Sequence, residues 1–112
     1  MSILDTNVVD VIGIDAPNGI ARLGISDHLR WDEAEHDHLV LLQDKINTYL
    51  MYLESGQVYE NNPNTKGCKF EIELVAKYEL SPGALDFFKQ AQTIVRDAGF
   101  ELTWRVPPAA KH

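Results

Sequence analysis

The feature that most constrains the fold is a strict alternation of side chains over residues 68–80. The apolar positions of this stretch are Cys68, Phe70, Ile72, Leu74, Ala76, Tyr78 and Leu80. The positions between them are, except for Val75, lysine or glutamate. A period of two predicts a β-strand with one covered face and one face in water. A strand buried on both faces would be apolar almost throughout, so helices are expected on only one side of the sheet.

An apolar stripe at three- and four-residue spacing precedes this strand and predicts a long helix over residues 33–55. Asp32 and Glu35 form a capping-box pattern at its start. Gly56 suits the left-handed position that ends a helix. Residues 57–67 are rich in asparagine and contain a proline, and are expected to form a loop.

A second helix and a last strand follow the alternating stretch. Ser81 is a suitable N-cap and Pro82 suits the first helical position. Gly99 is expected to end this helix, and residues 100–106 alternate again as a strand. Residues 68–106 therefore predict two parallel strands joined by a helix.

The chain begins with two β-branched, apolar runs, residues 8–14 and 20–25, separated by a turn that contains Pro17, Asn18 and Gly19. These residues favour chain reversal and predict a β-hairpin. The full order β-β-α-β-α-β predicts an α+β fold: a two-layer α/β sandwich with a mixed four-stranded sheet and two helices on one face. The strand order does not follow from the sequence.

Composition indicates one acidic domain. The chain has 112 residues and a net charge of −7, and is expected to fray in its first few residues and in residues 107–112. The charge argues against binding to nucleic acid or to anionic lipid. No apolar run reaches the ~20 residues of a membrane span. The lone Cys68 excludes an internal disulfide, and we expect a cytoplasmic protein without a signal peptide.

Two stretches carry a resemblance. The first is Val9-Asp10-Val-Ile-Gly13 leading to Asp27-His28-Leu29-x-Trp31, and the second is Leu42-Gln43-x-Lys45-Ile46-Asn47-x-Tyr49-Leu50 ending in Glu54-Ser55-Gly56. Together they resemble a family of small bacterial proteins catalogued as a domain of unknown function. The resemblance spans most of the chain and implies a bacterial, single-domain protein. It implies no catalytic or binding residue.

The segment between the second strand and the long helix is the first candidate site, with Asp27, His28, Arg30 and Trp31 as ligand-binding residues. An aspartate beside a histidine can orient the imidazole, while an arginine and a tryptophan supply an anion ligand and a flat apolar wall. No nucleophile motif or phosphate loop accompanies them, so no catalytic residue is assigned. The structural alternative is that Trp31 and Leu29 fasten the helix to the core while Asp27 accepts from a backbone N–H.

His36 and His38 form a His-x-His pair, a spacing that suits a metal on a strand. On a helix these positions lie about 200° apart, so we expect two solvated histidines, no metal site and no cofactor. Cys68 is expected to act as a small buried hydrophobe.

The long helix carries apolar residues outside its core stripe. Val40 and Met51 lie on one flank, and Leu41 and Tyr52 lie nearly opposite the core line. A helix on a sheet should be polar there, so these four residues predict an interface centred on Leu41 and Tyr52, with a homodimer as its simplest form. The alternative is that they are isolated apolar surface residues, which are normal on proteins.

Two functions remain open from the sequence. The first is a non-catalytic protein-interaction module, such as an adaptor, an inhibitor or an immunity-type protein, whose acidic surface steers it toward a basic protein partner. The second is a small-ligand-binding protein or enzyme with its site at residues 27–31. A concave junction in which Asp27 and His28 face a common point would favour the second function.

Overall fold

The alternating stretch forms the third strand of a four-stranded sheet. A computed structural model describes residues 3–6, 9 and 11–108, with the backbone alone at Val11. Strand β3 spans Lys69–Ala76 and buries every second side chain, whereas the side chains between them are half-buried or exposed. The one-sided sheet is therefore confirmed. The strand is shorter than predicted, because the chain leaves the sheet after Ala76 and Tyr78 is exposed.

The predicted hairpin is confirmed in the described residues. Strand β1 spans Val11–Asp15 and pairs antiparallel with β2, Ile20–Asp27. A short 3₁₀ turn at Ala16–Asn18 joins them, and Gly19 takes a left-handed φ of 64° that glycine adopts without strain. Val8 and Asp10, the other part of the predicted first run, lie outside the described residues.

The sheet has the order β1-β2-β3-β4, where β4 spans Glu101–Arg105. β2 pairs parallel with β3, and β3 pairs parallel with β4, so the predicted mixed sheet is confirmed. Because three neighbouring strands run in one direction, the ends of β2, β3 and β4 meet at one edge of the sheet. The long helix starts from that edge.

Helix α1 spans Glu35–Glu54 and begins two residues later than predicted. Its N-cap is Ala34, in the left-handed region with φ of 49°, and no side chain caps it. The predicted capping box is wrong, because the Asp32 carboxylate accepts two hydrogen bonds from Arg30 instead. Gly56 has the expected left-handed conformation, with φ of 79°.

The segment expected to be a loop contains helical structure. Helix α2 spans Gln57–Asn61, and a 3₁₀ turn follows at Pro63–Thr65. Val58 and Thr65 are fully buried, which explains why these turns form despite the turn-rich sequence. Burial on the core outweighs the local preference of asparagine for turns.

Helix α3 spans Pro82–Asp97 and has the predicted ends. The Ser81 hydroxyl accepts a hydrogen bond from the Ala84 N–H at 3.1 Å, and Gly99 follows the helix with φ of 96°. Trp104 on β4 packs edge-on against Phe88 of α3, at 5.1 Å between ring centroids. It is half-buried, since β4 is an edge strand.

Both long helices cover the same face of the sheet. The inward residues of β2 and β3 and the inner sides of α1 and α3 form one buried cluster. The opposite face carries ion pairs between Arg22 and Glu71, at 2.6 Å, and between Arg105 and Glu73, at 3.3 Å. Hydrogen bonding to Glu71 raises the pKa of Arg22 further.

The first described residues pack along α1. Ile3 is fully buried, and its N–H donates to the Ser26 carbonyl at 3.0 Å. The buried Lys45 donates from Nζ to the Asp5 carbonyl at 2.6 Å, and the Thr48 hydroxyl donates to the Thr6 carbonyl. At the other end, residues 109–112 of the predicted frayed tail lie outside the described residues.

Candidate functional site

A buried polar cluster lies where β2 meets α1. Asp27 is the last residue of β2 and points inward, in series with Ala21, Leu23 and Ile25. One carboxylate oxygen, Oδ2, lies 2.6 Å from Nε2 of His38, and the other accepts from the Leu29 N–H at 3.1 Å. Both side chains of the pair are at least 98% buried. Buried polar groups need hydrogen-bond partners, and the two side chains provide one for each other.

Trp31 closes the cluster from the loop side. Its indole stacks on the imidazole of His38, with ring centroids 3.4 Å apart and planes 12° from parallel. Trp31 Nε1 and His38 Nδ1 are buried, and neither has a hydrogen-bond partner among the described residues. The cluster therefore joins the end of β2, the connecting loop and the first turn of α1 into one unit.

The prediction that His36 and His38 are both solvated is correct for His36 and wrong for His38. His38 lies four residues before Leu42 and so falls on the core stripe of α1. This spacing is visible in the sequence and could have predicted that His38 is buried. The partner of Asp27 is this histidine and not the adjacent His28, which is exposed.

The chemistry open to the Asp27–His38 pair is limited by its burial. A general base must lie within hydrogen-bond reach of the proton that it removes. With Nε2 held by the carboxylate, only Nδ1 is left, and that atom is shielded from solvent. The structural interpretation of this segment, in which Trp31 and Leu29 fasten the helix and Asp27 accepts from a backbone N–H, describes the observed contacts.

An open cleft of about 400 Å³ lies outside this cluster, at the edge where the parallel strands end. It is lined by Arg30, Trp31, Asp32, Glu35, Tyr78, Glu79 and Ser81. Arg30 donates to Asp32 from Nε at 2.9 Å and from Nη2 at 2.7 Å. This pairing raises the pKa of Arg30 and lowers the pKa of Asp32.

Two further polar side chains of the cleft, Ser81 and Glu35, partner each other. The Ser81 hydroxyl donates to the Glu35 carboxylate and so links the start of α3 to the start of α1. Gly83 lies against that carboxylate, where an added Cβ would come within 3.0 Å of Glu35 Oε1. Because Arg30 and Glu35 are already bonded within the chain, the cleft offers few free groups to a small ligand.

No group of three or more histidine, cysteine, aspartate or glutamate side chains in the described part of the chain is arranged to hold a metal ion. Cys68 is half-buried and precedes β3. It packs against the core as a small apolar side chain, but it is half-buried and not buried as predicted.

The four predicted interface residues divide into two pairs. Val40 and Met51 are exposed, by 41% and 70%. Leu41 and Tyr52 are half-buried and pack against the core. The Tyr52 hydroxyl accepts from Nδ2 of Asn61 and of Asn62, at 3.2 and 3.3 Å. The exposed apolar surface of α1 therefore lies on the Val40 and Met51 side.

A separate groove lies between α1 and α3, and its lining includes neither Val40 nor Met51. It is lined by Gln43, Ile46, Asn47, Leu50, Phe87, Gln90, Ala91, Ile94 and Val95, and encloses about 160 Å³. The lining is apolar except for three amides, and it contains no charged side chain. Ile94 is 62% exposed, which is unusual for an isoleucine beside a buried floor. Sequence reasoning missed this surface because it forms only when the two helices lie side by side.

Comparison with known proteins shows to which family the chain belongs. No helix in the described residues is long and apolar enough to cross a membrane. No curated protein and no solved structure shows significant similarity to the chain. Residues 1–108 match the model of a family of unknown function, and the chain therefore belongs to that family, DUF6572.

Proposed function

We propose that this chain is a non-catalytic protein-interaction module, acting as an adaptor, an inhibitor or an immunity-type partner. The groove between α1 and α3 carries the proposal. Its floor is apolar, its rim consists of the amides Gln43, Asn47 and Gln90, and Ile94 stands exposed at its edge. Apolar surface rimmed by polar groups is typical of protein-binding sites.

The buried cluster around Asp27 and His38 lacks the accessible groups that a reaction centre needs, and this supports the same proposal. Asp27 and His28 lie on opposite sides of the chain, so they do not face a common point. The imidazole that Asp27 does contact, His38, has no solvent-accessible nitrogen. This arrangement gives the alternative, a ligand site or enzyme at residues 27–31, little support.

The surface suits two kinds of partner. The net charge of −7 favours a basic protein, because an acidic surface accelerates and orients the encounter with a cationic one. The uncharged groove suits a second copy of the chain. Neither nucleic acid nor an anionic membrane suits this charge. The single cysteine supports a cytoplasmic setting, and the motif resemblance supports a bacterial one.

Photo-cross-linking from the groove tests this function. A benzoylphenylalanine at Gln90, on the groove rim, should cross-link in the source cell to a protein identified by its peptides, either this chain or another. The same probe at the adjacent Lys89, which is exposed outside the groove, should not. Equal cross-linking from both positions, or none from Gln90, would contradict the proposal.

A further inference from the structure

We infer that the groove receives Ile94 of a second copy, so that two chains form a dimer about a two-fold axis. This inference rests on the proposed function and names the partner of the same surface. It also moves the predicted dimer interface from the α1 surface around Leu41 and Tyr52 to the junction of α1 and α3.

The size of the groove fits this occupant. A dry cavity of about 150 Å³ accommodates benzene, and the groove encloses about 160 Å³. One isoleucine side chain from outside can therefore fill it. The floor offers Leu50, Phe87 and Ala91 as apolar contacts for that side chain.

The surface is also self-complementary. A two-fold interface uses one patch on both subunits, so that patch must contain both the projection and the cavity that receives it. Ile94 lines the groove that would receive the partner's isoleucine, and it is itself 62% exposed. Inserting each Ile94 into the other chain's groove buries both exposed isoleucines at once.

The groove lining suits a second copy better than a basic protein, because it offers a cationic partner no acidic side chain. Two chains of net charge −7 repel, and the repulsion costs least where the contact itself carries no charge. The groove lining has none. Asp86 and Asp97 are exposed and lie four residues before Gln90 and three residues after Ile94, so they would flank the contact and their repulsion would weaken the dimer.

The available area is that of a weak dimer. Helix α1 has 20 residues and α3 has 16. Two adjacent helices of this length present roughly 30 Å by 20 Å, a footprint on the order of 600 Å². Stable interfaces bury about 800 Å² per partner. We therefore expect a dissociation constant in the micromolar range.

Sedimentation of the full chain over a micromolar concentration series tests the dimer. Ile94→Asp should weaken dimerisation at least about a hundredfold, and Ile94→Ala about tenfold or more. Ile94 is exposed and alanine favours helices, so Ile94→Ala should fold normally. Thr93→Asp places the same new charge on the adjacent exposed residue and should leave the dimer intact, as should Met51→Asp.

A wild-type chain that stays monomeric, or a dimer lost with Met51→Asp but kept with Ile94→Asp, would overturn this inference. If the chain is monomeric while the probe at Gln90 still cross-links another protein, the dimer is refuted and the interaction module stands. If the probe at Gln90 cross-links nothing, the proposed function fails as well.

Discussion

At the scale of single residues, the Asp27–His38 pair shows that adjacency in sequence does not identify which side chains are in contact. Asp27 is the last residue of β2 and continues the inward series of that strand. His28 is the first residue after the strand and is exposed, although the two are consecutive. The sequence does suggest an aspartate that orients an imidazole. The imidazole belongs to a residue 11 positions away, on the next element, and only the turn between β2 and α1 brings them together.

Removing one member of this pair should destabilise the fold. Asp27→Ala leaves His38 buried without its partner, and we expect a loss of about 3–5 kcal/mol in the free energy of unfolding. His36→Ala changes a solvated histidine two residues away and should shift it by less than about 0.5 kcal/mol. Urea denaturation of both variants measures this difference, and similar losses would contradict the assignment of a buried pair.

At the scale of elements, the starts of α1 and α3 show when a local capping pattern is sufficient to predict how a helix begins. Ser81 caps α3 as predicted, because its hydroxyl has the Ala84 N–H within reach. Asp32 and Glu35 match the capping box in residue type, but Arg30 binds the first and Ser81 binds the second. Hydrogen bonds to residues outside α1 therefore take the place of the expected capping bonds of Asp32 and Glu35. A capping pattern predicts a helix start only where no stronger partner lies nearby.

The two helix starts should respond differently to alanine. Ser81→Ala removes the cap of α3 and its link to Glu35, and we expect a loss of about 0.5–2 kcal/mol. Asp32→Ala removes a solvent-exposed carboxylate that caps nothing, so the thermal midpoint should not change. Circular dichroism melts of the two variants provide the comparison. A larger drop in the thermal midpoint with Asp32→Ala than with Ser81→Ala would indicate that Asp32 does cap α1.

The alternation in β3 gives a second matched pair. Phe70 is buried between the rings of Tyr59 and Phe100, at centroid distances of 5.8 and 6.1 Å. Phe70→Ala should cost about 3–5 kcal/mol of stability. The adjacent Lys69 is exposed, and Lys69→Ala should cost less than about 0.5 kcal/mol. Comparable costs in chemical denaturation would contradict a sheet covered on one face.

At the scale of the whole molecule, the layers could be predicted and the surfaces could not. Alternation and helical periodicity are properties of single segments, and they predict a mixed sheet with helices on one side. The strand order depends on packing between distant segments. The same holds for the groove, since Leu50 and Ile94 come from helices that meet only in the folded chain. Residues 57–67 contain α2 because Val58 is buried, a fact of tertiary packing.

The charge of the whole molecule predicts how the dimer responds to salt. Each chain has a net charge of −7, and the groove lining is uncharged, so the net electrostatic interaction between the two chains is repulsive. Raising the ionic strength from about 0.01 M to about 0.15 M shortens the screening length from about 30 to about 8 Å and should tighten association. Sedimentation at the two salt concentrations measures this, and weaker association at high salt would indicate ionic contacts.

The central claim is that two copies of this chain associate through the surface between α1 and α3, and isotope-filtered NMR on a mixture of labelled and unlabelled chains tests it most directly. We predict an intermolecular contact between the δ-methyl of Ile94 in one chain and the methyl groups of Leu50 in the other. We also predict that amide shifts change with concentration at Gln43 and Gln90 and stay constant at Glu73 on the opposite sheet face. Intermolecular contacts confined to the open sheet face, or none at millimolar concentration, would contradict the claim.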